Sequence, residues 1–202
     1  MDLDVCHPTK SGNVITCRGR GAYTAFFSPR GIKGDPASKK KYSGTLLIPA
    51  KANIDLLKKA MDDAIKTKWS TKPAKVRPPY LKTEDHVHNF VKEDDEAARA
   101  KFCKEYPFLI RCSSEQKPDV LFANGEKCDE EAEAYSGRWM RFSVRVYAWE
   151  HAASGKGVSF GLQNVQLLDH AERFGGGRPK AEDEFDVVER GSGTSADQMA
   201  WE

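Results

Sequence analysis

The chain has 202 residues, 39% of them hydrophobic and 31% charged, with a net charge of +2. That is enough for one domain with a real core or two small ones, in a soluble globular class with a heavily charged surface. No apolar run approaches a membrane span, and the opening MDLDVCHPTK lacks the apolar stretch of a signal peptide, so a cytoplasmic location is expected.

The five cysteines, Cys6, Cys17, Cys103, Cys112 and Cys128, are odd in number and show no CxxC spacing. Free thiols are expected rather than a disulfide framework. A zinc site drawn from Cys6, His7, Cys103 or Cys112 with His86 and His88 matches no zinc spacing, and no metal or cofactor is expected.

In chain order, Asn13 to Phe27 reads as strand, glycine-softened bend and strand, with Val14, Thr16, Arg18 and Arg20 on one face and Ile15 and Cys17 on the other. Ser28 to Tyr42 is a loop rich in glycine, proline and lysine. Ser43 to Pro49 is a short strand. A helix follows, with Asn53 as its N-cap and Ile54, Leu57, Met61, Ala64, Ile65 and Trp69 at helical spacing. Thr71 to Glu105 is a mixed polar stretch in which Glu93 to Phe102 can form a short helix. Pro107 to Ser113 reads as a strand, and Asn124-Gly125 marks a tight turn.

Arg138 to Glu150, RWMRFSVRVYAWE, is the most informative segment. At period two, Met140, Phe142, Val144, Val146 and Ala148 form a core face. The opposite face alternates rings and guanidinium groups: Trp139, Arg141, Arg145, Tyr147 and Trp149. A ring stacks on any base, and a guanidinium binds phosphate, so one face carries both halves of a nucleic-acid surface. The competing account is a sheet that buries aromatics on both faces, with arginines flanking them. His151 to Gly157 is a hairpin loop. Val158 to Leu168 returns, with an interruption expected at Gly161.

The end of the chain is acidic. From Ala181 onward seven carboxylates face Arg190 alone, net −6, which leaves +8 on residues 1–180. Basic bodies attract polyanions, and a tethered acidic tail can compete for that surface or reach a basic partner. Residues 1–180 are expected to form the domain and 181–202 an acidic disordered tail.

Several short strands, one or two helices and long polar loops point to a mainly β protein, an OB-fold-like small barrel whose open strand face suits oligonucleotides. A β-sandwich is the alternative. Beyond the aromatic strand, Arg18, Arg20, Tyr23 and Lys40 are further contact candidates, although a lysine run is usually just a solvated loop. Arg138 can meet backbone or pair with Glu133. Consecutive carboxylates at residues 93–96 can mimic a nuclease metal cluster but more often mark a helix start. No GxxxxGK[ST], HExxH or GxSxG occurs, so no enzyme is expected. A DNA-processing enzyme such as a recombination nuclease, or a protein-interaction module using Trp, Tyr and Arg as hot spots, are the other readings.

SGTLLIP before a helix, YSGRWMRFSVRVYAWE, GKGVSFGLQNVQLL, and RFGGGR followed by AEDEF occur in this order over roughly Val14 to Phe185. The pattern resembles a family of tailed-phage single-stranded-DNA-binding proteins with an OB-fold, long catalogued as a domain of unknown function. The resemblance implies binding of single-stranded DNA without strong sequence preference in phage replication, recombination or repair, and no catalysis. It also implies an acidic tail that engages replication or recombination proteins. Phe185 and Trp201 are the candidate docking residues, although such tails often end in an aromatic and here Glu202 follows Trp201. A homodimer is left open.

Overall fold

Nine strands, two α-helices and two short 3-10 helices run through the residues that the computed structural model describes, 1–31, 35–91 and 95–174. In chain order they are β1 (His7–Pro8), β2 (Val14–Ile15), β3 (Gly19–Arg30), β4 (Lys41–Ile48), α1 (Asp55–Lys68), β5 (Tyr80–Lys82), a 3-10 helix (Thr83–Asn89) and α2 (Glu96–Glu105). Then come β6 (Phe108–Ser114), β7 (Asp119–Leu121), a 3-10 turn (Glu131–Glu133), β8 (Trp139–His151) and β9 (Gly155–Leu167).

Five of these strands close a ring. β3 pairs with β4, β4 with β6, β6 with β9, β9 with β8, and β8 back with β3. Every pairing in the ring is antiparallel except β6 with β9. This is a small barrel of the OB type, and a ring of pairings excludes a two-sheet sandwich. Alternation fills it as the sequence suggests: Met140, Phe142 and Val144 from β8 meet Phe160 and Leu162 from β9 and Leu46 and Ile48 from β4. Val146 packs partly against the same core, where α1 brings in Leu57 and Met61.

Two bulges re-aim side chains. On β3 the register passes from Ala22↔Thr45 to Ala25↔Ser43, which puts an extra residue in the strand, and Tyr23 takes a φ of 50°. A bulky residue in that region is held there by its surroundings. On β9 the interruption lies at Gln163, between the pairs Leu162↔Val144 and Asn164↔Ser143, and not at Gly161, which pairs with Arg145. The inward set accordingly switches from Leu162 to Val165 and Leu167.

Other expectations are corrected. Thr16 and Cys17 are both fully buried, because the chain leaves strand geometry between β2 and β3. Thr16 stands in for a ladder position: its Oγ1 accepts from the Phe142 amide at 3.0 Å, and its own amide donates to the Phe142 carbonyl at 2.8 Å. β3 runs on to Arg30, beyond the expected loop start. The N-cap position of α1 is Ile54; Asn53 acts one residue earlier, where its Oδ1 accepts from the Asp55 amide at 2.9 Å. The hairpin loop is shorter than expected, with β8 reaching His151 and β9 starting at Gly155, whose φ of 79° makes the turn.

The stretch from Thr71 to Glu105 is more ordered than its composition suggests. Where β6 and β9 diverge, residues 77–82 fill the gap: Arg77 bridges to Gly157 on β9, and Tyr80 pairs with Ile110 on β6. The 3-10 helix and α2 then cover part of the barrel's outer surface, burying Phe90 and Tyr106 over Leu47, Leu109 and Ala22. The carboxylates before α2 do mark a helix start, since Asp95 Oδ1 accepts from the amides of Ala97 (2.8 Å) and Ala98 (3.2 Å). Asp95→Ala should therefore cost about 1 kcal/mol of stability in urea denaturation, while Asp95→Asn keeps most of it.

Candidate nucleic-acid interface

The outer face of the barrel divides into a covered zone and an open zone. In the covered zone the first half of β8 meets other parts of the chain. The guanidinium groups of Arg18 and Arg20 lie 5.4 and 5.5 Å from the Trp139 ring centre, and Tyr106 packs at 6.4 Å. Arg18 is ion-paired with Asp4 at 2.8 Å. Arg20 donates to the carbonyls of Gly137 and Glu172 and lies 4.7 Å over Phe174. Arg141 donates to Gln166 Oε1 at 2.7 Å, and its Nη1 lies 3.0 Å from Met1 Sδ. These four sequence candidates are thus brought together with intramolecular partners, in the manner of the competing account. Arg138 is also buried and pairs with Glu133.

The open zone crosses β3, β4, β6, β9 and the second half of β8. Two adjoining concavities of about 560 and 430 Å³ meet at Ser113. The first is lined by Tyr23, Ser43, Thr45 and Arg111, the second by Lys41, Arg145, Tyr147 and Gln163. Tyr23 and Tyr147 are 51% and 43% exposed, unusual for such rings on a folded sheet. The Tyr23 amide donates to Ser136 Oγ at 3.1 Å, which anchors the bulge, and its ring packs 6.0 Å from Phe90 at the edge of the covered zone. Partial burial raises the Tyr23 phenol pKa, and the nearby Arg111 opposes that shift.

Tyr147 and Trp149 lie over glycines of β9. A Cβ at Gly157 would fall 2.4 Å from the Trp149 ring, so only glycine lets the indole lie across that strand. Its Nε1 donates to Ser159 Oγ at 2.8 Å, which fixes the ring. A Cβ at Gly161 would sit 3.5 Å from the Tyr147 ring. The indole is therefore held on the sheet, while the Tyr147 ring lies beside Gly161 at ordinary contact distance and stays 43% exposed. Among the described residues, Lys41, Arg111 and Arg145 form no ion pair. Lys39 is neutralised by Glu115 at 2.6 Å, while Lys40 is exposed on the loop before β4. Rings presented on a sheet beside such cations can stack bases and bind phosphates.

The sequence reading missed Arg111, Ser113 and Gln163. Arg111 was legible: in PFLIRCS, Ile110 and Cys112 point inward, so period two places Arg111 and Ser113 outward. Gln163 was not, because a bulge put it there. Among the described residues no group of three or more His, Cys, Asp or Glu comes together as a metal site, and no helix is long and apolar enough to cross a membrane. Phe185 and Trp201 lie outside the described residues.

Known proteins resemble this chain in the same terms. The solved structure of the single-stranded DNA-binding protein from bacteriophage Enc34 in complex with ssDNA is similar at a TM-score of 0.63 and 23% identity, over 82% of this chain and 91% of that one. The same phage protein in a further structure gives 0.62 and 22%, over 90% and 99%. The gp2.5 single-stranded DNA binding protein encoded by bacteriophage T7 gives 0.52 and 18%, over 90% and 97%. These likenesses establish the fold. No curated protein matches. A family model described as the ssDNA-binding protein of Enterobacter phage Enc34 matches residues 12–198, so the chain belongs to that family.

Proposed function

We infer that this protein binds single-stranded DNA across the open zone, without strong sequence preference, and serves phage DNA replication, recombination or repair in the host cytoplasm. The observation that carries the reading is the coincidence of aromatic rings, exposed at Tyr23 and Tyr147 and half-buried at Trp149, with cations that form no ion pair among the described residues (Lys41, Arg111, Arg145) on one barrel face. Stacking tolerates any base, and cations follow the backbone, so the arrangement favours a flexible single strand over a stacked duplex. The family to which the chain belongs and the ssDNA complex of its structural relative support the same reading. Trp139, Arg18, Arg20 and Arg141 then serve to hold the sheet in shape, and Lys40 to widen the positive rim. Phe185 and Trp201 are the proposed docking points for replication or recombination proteins.

A mobility-shift series with matched single- and double-stranded oligonucleotides, with and without magnesium, tests this. Binding should prefer the single strand, weaken steeply as salt rises, and leave the DNA intact. Equal affinity for the duplex, or cleavage with magnesium, would overturn it. Truncation before Ala181 should raise affinity, most clearly at low salt, because the seven carboxylates of the tail compete intramolecularly for the basic face. Superimposable salt titrations of the full and truncated chains would show that the tail does not compete.

A further inference from the structure

Between Lys66 and Tyr80 the chain carries Lys66, Lys68, Lys72, Lys75 and Arg77 and no carboxylate. All five cations are exposed, and among the described residues none is in an ion pair. A run of like charges commonly projects into solvent unattached. This one is fastened to the β8–β9 hairpin. The Arg77 amide donates to the Lys156 carbonyl at 2.9 Å, and the Val158 amide donates to the Arg77 carbonyl at 3.1 Å.

Trp69, at the end of α1, sits against the same hairpin. Its Nε1 donates to Glu150 Oε2 at 3.0 Å, and Lys156 Nζ lies 5.6 Å from the Trp69 ring and 3.3 Å from Glu150 Oε1. Trp149, one position before Glu150 on β8, lies across Gly157 on the opposite side of these two strands. The hairpin tip therefore carries an indole on each side, with unpaired cations continuing beyond the second.

We propose that the single-stranded DNA path does not end at Trp149 but crosses the β8–β9 tip onto the 66–77 strap, where Trp69 stacks a base and the strap lysines take phosphates. The proposal rests on the open zone being the DNA face. Glu150 holds the place of a phosphate oxygen: its carboxylate occupies the two groups, Trp69 Nε1 and Lys156 Nζ, that a phosphate would engage by the same chemistry. Strand entry then displaces Glu150, which makes it a brake on the extended site.

The test measures fluorescence anisotropy with dT oligonucleotides from about 4 to about 16 nucleotides, the range of sites on one such barrel. It compares the full-length protein with Lys68→Ala/Lys72→Ala/Lys75→Ala, with Glu150→Gln and with Arg145→Ala, over a salt titration. The shortest oligonucleotides should bind the wild type and the triple variant alike. Longer ones should gain affinity in the wild type but not in the triple variant, where their log–log salt slope should be shallower by about 2, at roughly 0.7 per lost phosphate contact. Glu150→Gln should tighten long oligonucleotides severalfold and leave the shortest unchanged. An unchanged slope and length dependence in the triple variant would overturn the proposal, as would equal weakening at every length. Arg145→Ala separates the two readings: weakening at all lengths keeps the open zone as the DNA face even if the strap fails, and no weakening at any length removes the open zone itself.

Discussion

Trp149→Ala and Tyr147→Ala are each expected to weaken single-stranded DNA binding by about 1–3 kcal/mol, roughly 5- to 150-fold. Neither ring belongs to the inner core, so the variants should keep native circular dichroism and unfold at nearly the wild-type urea concentration. Their salt slopes should match the wild type, since stacking releases no counterions. Arg111→Ala and Arg145→Ala are the complement: each should weaken binding and lower the slope by about 0.7. Trp139→Ala separates the two zones. It removes the ring that Arg18, Arg20 and Tyr106 pack against, so its effect should appear in stability and not in the affinity of the folded protein. Anisotropy titrations at several salt concentrations check all five variants. A Trp149→Ala protein that binds as tightly as the wild type would remove the β8 rings from the site.

The long strand β8 shows how far the sequence reaches. Its two-residue alternation correctly assigns Met140, Phe142 and Val144 to the core, because the core face of a strand is a local property. The other face is not local. Trp139 and Tyr147 occupy equivalent positions in the pattern, yet one is covered and the other is open. The difference lies in Tyr106, Phe90, Phe102 and Phe174, which come from segments distant in sequence and meet over β3, β4 and β6. α2 gives little warning, since EAARAKFCKE has no continuous apolar stripe and owes its place to tertiary packing. Tyr23 and Gln163 are aimed by bulges, and a bulge leaves no trace in alternation until the partner strand is known. Arg111 and Ser113, by contrast, follow from the same periodicity that found β8. The basic strap at residues 66–77 is plain in composition, but only its bonds to Lys156 and Val158 give it a position.

Glu133→Ala is expected to destabilise the fold by about 3 kcal/mol, at the lower end of the range for breaking a buried ion pair. The two partners are unequally buried: the Arg138 side chain is 6% exposed and that of Glu133 is 32% exposed. Removing the carboxylate leaves a guanidinium with little access to water. Part of its need is met elsewhere, since Nε donates to the Leu168 carbonyl at 3.0 Å and Nη1 to the Glu133 carbonyl at 3.1 Å. Both backbone acceptors survive the substitution, which is why the loss should fall near 3 and not near 5 kcal/mol. Arg138→Met should cost less, because Glu133 can turn toward water once its partner is gone, while the methionine fills the space against Phe122. The double variant Glu133→Ala/Arg138→Met should therefore be more stable than Glu133→Ala alone, a sign that additive contacts cannot produce. Urea denaturation of the three variants measures the order. Single-stranded DNA titrations of the folded proteins should superimpose on the wild type, because the pair sits before β8 begins, away from Tyr147 and Trp149. If Glu133→Ala were the most stable of the three, the guanidinium would not depend on this carboxylate, and its backbone acceptors would suffice to hold the charge.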